Sequence, residues 1–542
     1  MGYIEGQSRE QVTIFPDTVD EYIAENNAVR VIDVFVENLD LEKADFTKAI
    51  PAKEGRPSYN PKDLLKLYIY GYFNKIRSSR KLMIEVHINV ELMWLLRKLT
   101  PDFRTISDFR KDNAKALKNV FKAFVKLCLE MNLYVKELVA IDGSKFKAVN
   151  SKDNNYTKSM LDKRLKRIDE NIADFINEMD KCDKNDCNEP EITKEQLKRK
   201  ISQLSKSKDL CNSYLEEMKE NNTTQKSLTD PESKLMKNNK GFDVCYNVQT
   251  AVDNKSHLIA DFIITNNCND IGLLVPMAEA AKEALEVERL EVAADKGYRK
   301  QADIMESLKN GIIPNVYLFD KQENYSFEID FKENEITEEI RNSAAPENIQ
   351  KCFESGVIPD IYESCQISAE IIECKDVTVE KNESFSRNRE TNTVICPMGY
   401  TLKQKAICAN KKRYANKLAC KSCINKCTTA KFKVVAFPEN KDFVESRFFE
   451  EKHRLMKSSD VYSSKTKVRI NFKPDKSKLR LRKCIVEHPF GSIKRWSDGS
   501  YLLLKGKVKT TAELSLSFLA YNIKRAINMV GVNNLIAKMQ AI

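Results

Sequence analysis

The sequence predicts an α/β protein, a mixed sheet with flanking helices, broken by two insertions and preceded by an all-helical region. Three observations lead there. Apolar residues recur at helical spacing through residues 1–135. Short apolar and β-branched runs then appear around 138–141, 242–252, 257–265 and 289–294, with a helical segment before the last. Stretches of different character, a pair of heptad segments and a polar, cysteine-bearing segment, separate these runs from each other and from a late helix. The length of 542 residues is too great for one core and fits roughly three or four domains of ~150 residues. A hydrophobic content of 42% marks the chain as folded.

In "NPKDLLKLYIYGYF", Asn60 caps a helix, Pro61 suits its first position and Asp63 its first turn, with Leu64, Leu65, Tyr68 and Tyr72 as the apolar face. A second long helix is expected from about Ser107, carrying Leu117, Val120, Phe121, Phe124 and Cys128. Residues 1–135 thus read as a helical domain for DNA binding or oligomerisation. The run Leu138, Val139, Ala140, Ile141 is a strand expected to end at Asp142. Two heptad segments, one on Leu161, Leu165, Ile168, Ile172, Phe175 and Met179 and one on Leu197 to Met218, predict a helical hairpin over 155–225. Cys182 and Cys187 lie in its loop and read as incidental.

"FDVCYNVQTAVD" and "HLIADFIITN" then form a strand pair around the turn Asp253 to Ser256. A helix in "GLLVPMAEAAKEAL" follows, and a strand in "RLEVAADKGY" ends at Asp295. In residues 319–480 the stretch "ENEITEEIRNSAAPEN" predicts little packed structure. Beyond it Cys420, Cys423 and Cys427 follow a C-x₂-C-x₃-C spacing, with Cys396 of "CPMG" as a fourth candidate ligand for structural Zn²⁺ and Cys408 as a spare. In 481–542, Glu487 and Pro489 read as a first helical turn. Thr510 to Glu513 read as a capping box for an amphipathic helix closed by Gly531.

Three strands, a helix, a fourth strand and a late helix are the order of an RNase H-like core. Its first part is 136–318 and its last part 481–542. In that frame Asp142, Asp295 and Glu487 stand where three acids converge from strand ends and a helix. Hard carboxylate oxygens suit two Mg²⁺ or Mn²⁺ ions, which neutralise a scissile phosphate and activate an oxygen nucleophile. Singly, each acid reads equally as a turn or cap residue.

The charge fits a polyanionic partner. The chain carries 90 Lys and Arg against 79 Asp and Glu, a net charge of +11. Residues Ser464 to Lys483 hold nine basic side chains against the single Asp475. No apolar stretch has signal-peptide or membrane-spanning length, so a cytoplasmic location is expected, with no membrane partner. In that reducing compartment the fifteen cysteines are not read as a disulfide framework.

The blocks "AIDGSKF", "YNVQTAVD", "AADKGY" and "VEHPFGSIKRW", with "RPSYNPKDLLKLYIYGYFN", "FRTISDFRKDN" and "TDPESKLMK", resemble the DDE transposases of bacterial insertion sequences, the branch with an InsH-type N-terminal domain. The resemblance spans most of the chain in order. It implies that Asp142, Asp295 and Glu487 are the metal-binding catalytic triad. Lys494, seven residues beyond Glu487, matches the lysine of the family's Tyr-Arg-Glu-Lys signature, whose Arg and Tyr positions hold Lys483 and Arg480 here. Lys494, Lys483, Arg480, Arg482, Arg495 and Trp496 are the expected DNA-contacting residues, and His488 is expected to pack or touch DNA. The implied partners are double-stranded DNA, as terminal inverted repeats and target, and a second copy of the chain in a synaptic dimer. The implied reaction cleaves element ends and joins 3′ hydroxyls to target DNA. The alternatives are a catalytically retired DNA-binding descendant and an RNase H-like nuclease without strand transfer.

Overall fold

The structure, a computed structural model, describes residues 18–50, 57–184, 194–238, 241–319, 322–331, 336–372, 379–382, 385–388, 391–396, 398, 400–408, 411–423, 427–428, 430–438, 467–496 and 499–541. The chain divides into two units, one of residues 324–473 and one formed by the segments on either side of it.

The larger unit begins with helices α1 (Ala28–Glu37), α2 (Pro61–Phe73), α3 (Ser79–Ile88), α4 (Val90–Leu95), α5 (Phe103–Asp112) and α6 (Ala114–Glu130). Helix α2 starts as the sequence dictates, with the Asn60 side chain accepting from the Lys62 amide and Pro61 in the first turn. It is buried on nearly every side, beyond the one expected apolar face. Even Lys66 is enclosed, and its ammonium bonds Asp33 at 2.6 Å and Glu37 at 2.5 Å. The single long helix expected from Ser107 is two helices. Asn113 breaks it, because its Oδ1 accepts from the amide and hydroxyl of Thr47 at 2.7 and 2.9 Å.

The sheet follows. Its strands are β1 (Leu138–Lys147), β4 (Lys234–Asn238), β5 (Gly241–Asp253), β6 (Ile259–Thr265), β7 (Leu290–Ala294) and β8 (Ile312–Val316). Between β1 and β4 lie β2 (Asn155–Thr157), α7 (Lys158–Lys184), α8 (Lys194–Glu220) and β3 (Gln225–Ser227); helix α9 (Leu274–Ala284) precedes β7 and α10 (Gln301–Lys309) precedes β8. The order is β6-β5-β1-β7-β8, with β4 also on the outer edge of β5. Strand β5 runs antiparallel to β1, while β7 and β8 run parallel to it. Strand β1 does not stop at Asp142. Pairing with the long β5 continues to Lys147, opposite Cys245, so Asp142 sits in mid-strand opposite Thr250. The β5–β6 turn lies where it was expected. Asp253 builds it, accepting from the Ser256 amide at 2.9 Å and hydroxyl at 2.7 Å. Helices α7 and α8 pack on each other through Leu161, Ile168, Cys211 and Met218. Cys182 is within α7, and Cys187 lies outside the described residues.

The smaller unit holds two antiparallel sheets. One has three strands, β9 (Tyr325–Asp330), β10 (Ile367–Ile372) and β17 (Lys467–Phe472), with β17 central. The other is a meander of β11 (Val379–Asn382), β12 (Phe385–Asn388), β13 (Thr393–Ile395), β14 (Thr401–Cys408), β15 (Lys411–Ala415) and β16 (Val434–Pro438) around Phe385, Val394, Leu402, Tyr414, Val435 and Phe437. The segment expected to lack packed structure contains α11 (Glu338–Asn342) and the start of α12 (Pro346–Glu354). What packs it is Ile349, Cys352 and Phe353, just beyond the polar run. Helix α13 (Lys417–Ser422) lies between β15 and β16.

The larger unit resumes with α14 (Lys476–Gly491), a π-helical turn Ser492–Trp496, α15 (Lys507–Val530) and α16 (Val532–Ala541). Two expectations are corrected here. Glu487 is not in a first turn: α14 begins eleven residues earlier, capped by Asp475, and Pro489 lies inside it. Pro489 has no amide to serve the Ile485 carbonyl, so one bond of the helical ladder is missing there. Thr510 to Glu513 are no capping box, because α15 starts at Lys507 after Gly506 and Glu513 is buried within it. Helix α14 lies across β1, β5, β7 and β8, and α9 across β6, β5, β1 and β7. The two lie on opposite faces: Asp142 reaches α14, while its neighbour Gly143 meets Asp270, just before α9.

Candidate active site

The parallel register sets Ile141 beside Ala294, so Asp142 and Asp295 come next along two adjacent strands. Asp142 Oδ1 accepts from the Gly143 amide at 3.0 Å, and Asp295 Oδ1 from the Lys296 amide at 2.7 Å. Arg482 of α14 lies across both acids, Nη1 at 3.5 Å from Asp142 Oδ2 and Nη2 at 3.8 Å from Asp295 Oδ1. Among the described residues its buried Nε has no hydrogen-bond partner. Burial pushes the Asp142 carboxyl up to about 6; Arg482 and the Gly143 amide oppose the rise, and Asp270 and Asp295 add to it. Two close carboxylates that already hold a delocalised cation between them are a hard-oxygen donor set suited to Mg²⁺ or Mn²⁺.

The third expected acid is placed differently. Glu487 lies on α14 five residues after Arg482, 65% exposed, with Lys483 Nζ at 3.8 Å. Among the described residues no three His, Cys, Asp or Glu side chains stand together as a metal-holding group. Lys494 is turned inward. Its ammonium donates to Ser144 Oγ at 2.6 Å and the Lys145 carbonyl at 2.7 Å and lies over the Phe146 ring. Burial lowers its pKa to about 8 against the pull of Cys245 and Asp142. Of the other expected DNA contacts, Arg480, Lys483 and Arg495 are exposed, Arg482 is committed to the acid pair, and the Trp496 side chain is outside the described part. His488 stays away from the acids, with Nδ1 at 2.8 Å from the Tyr521 hydroxyl and its ring stacked on His257.

Sequence reasoning missed residues on the other face of the sheet. Asn247 and Gln249 of β5 are fully buried, and both bond Asp270 Oδ1, at 2.7 and 2.8 Å. The Tyr298 hydroxyl donates to Gln249 Oε1. The signal was in "YNVQTAVD": two amides at alternate positions of an otherwise apolar strand share one buried face and need polar partners there.

In the smaller unit Cys396, Cys420, Cys423 and Cys427 line one pocket. Cys396 follows β13 in a turn closed by its amide to the Tyr400 carbonyl, and Cys420 and Cys423 sit in and at the end of α13. Cys408 closes β14.

No curated protein and no solved structure matches the chain. Two family models do. Residues 17–112 match a transposase domain, which covers α1 to α5. Residues 221–523 match the Transposase DDE domain, more than half of the chain, including Asp295, Glu487, Arg482 and the β5 amides, while Asp142 lies upstream of the matched segment. That domain has an RNase H-like fold and works with divalent metal ions. The sheet order above, with β1 central and Asp142 beside Asp295, is consistent with it. The chain therefore belongs to the DDE transposase family.

Proposed function

We propose that the chain binds the terminal inverted repeats of its own insertion sequence, cleaves the element ends and joins the liberated 3′ hydroxyls to target DNA. The observation that carries this reading is the pair Asp142 and Asp295 at adjacent parallel strands, bridged by a half-buried arginine, in a chain of this family. Asp142, Asp295 and, from α14, Glu487 would hold the divalent ions, two of Mg²⁺ or Mn²⁺. When bound, such ions neutralise the scissile phosphate and make a water or a DNA 3′ hydroxyl more acidic. Lys494 pins β1 at Ser144 and Lys145, and so holds the strand that carries Asp142. Exposed Arg480, Lys483 and Arg495 offer charge to the DNA backbone, where a lysine acts as a point charge.

The same reading assigns the N-terminal helices to DNA binding or to the synaptic homodimer. It takes the α7/α8 hairpin and residues 319–480 as insertions into the RNase H-like core, and Cys396, Cys420, Cys423 and Cys427 as ligands of a structural Zn²⁺. A cytoplasmic, nucleoid-associated location follows from the partner; among the described residues no helix is long and apolar enough to cross a membrane. The test is incubation with labelled element ends, a supercoiled target plasmid and Mg²⁺. Joined product is expected. Cleavage without joining favours a nuclease, and DNA binding without cleavage a retired descendant.

A further inference from the structure

We propose that Asp270 is a positioning residue that fixes Asp142 and Asp295 relative to one another from the opposite face of the sheet; this rests on the reading of those two acids as the metal-binding pair. Asp270 lies against the backbone just beyond both of them. A Cβ on Gly143, the residue after Asp142, would lie 2.6 Å from Asp270 Oδ1. A Cβ on Gly297, two residues after Asp295, would lie 3.6 Å from Oδ2. One carboxylate therefore lies alongside the two segments whose spacing sets the distance between the acids, and Gly143 is the residue type that allows the approach.

The carboxylate is itself held. Oδ1 accepts from Asn247 Nδ2 and Gln249 Nε2, and Lys145 Nζ stands 3.6 Å away. Gln249 also donates to Asn247 Oδ1 at 3.1 Å, which orients both amides. Tyr298, fully buried in the turn that Asp295 caps, donates its hydroxyl to Gln249 Oε1. The β1–β5 register pairs Gly143 with Gln249 and Lys145 with Asn247. The chain of bonds thus runs from the Asp295 turn through Tyr298 and Gln249 to Asp270, whose carboxylate lies close against Gly143 beside Asp142. Buried amides with fixed partners cannot reorient without losing those bonds, so displacement at one end reaches the other. Asp270 also closes the turn that leads into α9, its carbonyl accepting from the Leu273 amide at 3.2 Å.

The test uses the full chain and Mn²⁺ as the probe. Mn²⁺ affinity is measured by calorimetry, and the Mn²⁺ concentration for half-maximal cleavage of labelled ends is separated from the maximal rate. Asp270→Ala is expected to weaken Mn²⁺ binding about 10–100-fold, as loss of a residue that orients metal ligands does. Asp270→Asn keeps an oxygen for Asn247 and Gln249 and is expected to restore binding to within about threefold of the unmodified chain. Tyr298→Phe keeps the buried ring but frees Gln249, and is expected to give a smaller loss; it carries the test if Asp270→Ala does not fold. Unchanged Mn²⁺ affinity in Asp270→Ala, or in Tyr298→Phe, overturns the proposal. So does an Asp270→Asn variant as defective as Asp270→Ala, which would make the charge and not the anchor the function. Mn²⁺ binding without cleavage by the unmodified chain would sink the transposase reading alone, and no Mn²⁺ binding would sink both.

Discussion

Replacing Glu513 should cost more than any surface change in this protein. Its side chain is 1% exposed and pairs with Arg77, 9% exposed, at 2.7 Å. The same carboxylate accepts from the Leu503 amide at 3.0 and 2.9 Å and from the Leu504 amide at 3.0 Å. It thereby ties the loop after α2 and the start of α15 into one polar centre, to which Arg77 adds a bond to the Tyr501 carbonyl at 2.6 Å. Glu513→Ala removes the counter-charge that pairs with the buried Arg77 and leaves the Leu503 and Leu504 amides without this acceptor, a loss of about 3–5 kcal/mol. With an unfolding entropy of about 2.1 cal/mol/K per residue, the 542-residue chain loses about 3–4 °C of Tm if it melts as one unit, and more if the larger unit melts alone. Glu513→Gln keeps one acceptor oxygen and recovers part of the loss. Differential scanning calorimetry of the two variants beside Arg77→Ala and the Arg77→Ala, Glu513→Ala double variant reads the effect directly. A shift below about 1 °C for Glu513→Ala would refute the reasoning, as would additivity of the Arg77 and Glu513 changes, since partners in one network must couple.

Three further outcomes are expected. Because burial raises the Asp142 pKa to about 6, protons compete with the metal from that value downward. Mn²⁺ affinity, measured by calorimetry between pH 8 and 5, should therefore be flat above about 6 and fall toward about tenfold per unit below it; Arg482→Ala should move the break to higher pH, because Arg482 favours the ionised acid. Lys494→Ala removes charge-assisted bonds to Ser144 and Lys145, with a cost of about 1.5–3 kcal/mol in urea unfolding and slower cleavage; unchanged stability would show that the inward lysine anchors nothing. Metal analysis of the purified chain should find about one zinc, lost in the Cys420→Ser, Cys423→Ser double variant, and a zinc-free chain that keeps its unfolding midpoint would remove the cysteine assignment.

Where local chemistry decides an element, the sequence was readable. Asn60 and Pro61 start α2, Gly531 with φ 79° closes α15, and Asp253 with Ser256 turns β5 into β6. The acid pair was readable for a related reason: each aspartate follows an apolar strand run, and parallel neighbours bring such positions side by side. The misreadings came from partners distant in sequence. Strand β1 outlasts its apolar run because β5 pairs with it to Lys147. The His488-Pro489 pair imitates a helix start, yet α14 extends N-terminally because its Leu479, Ile485 and Val486 are buried where it packs across the sheet. Asp270, in the polar run "NNCNDIG", has loop chemistry by every local measure. It becomes significant only against Gly143, Asn247 and Gln249, which no local pattern brings together.

The most direct test of the catalytic assignment is Mg²⁺-dependent cleavage of labelled element ends by Asp142→Asn, Asp295→Asn and Glu487→Gln, each checked for retained DNA binding. Glu487 is the sharpest of the three, since its side chain faces solvent beside Lys483 while the other two acids share Arg482. Loss of cleavage and joining in all three, with binding intact, is the expected result. Cleavage that survives Glu487→Gln would contradict a three-acid site and leave Asp142 and Asp295 as its only members.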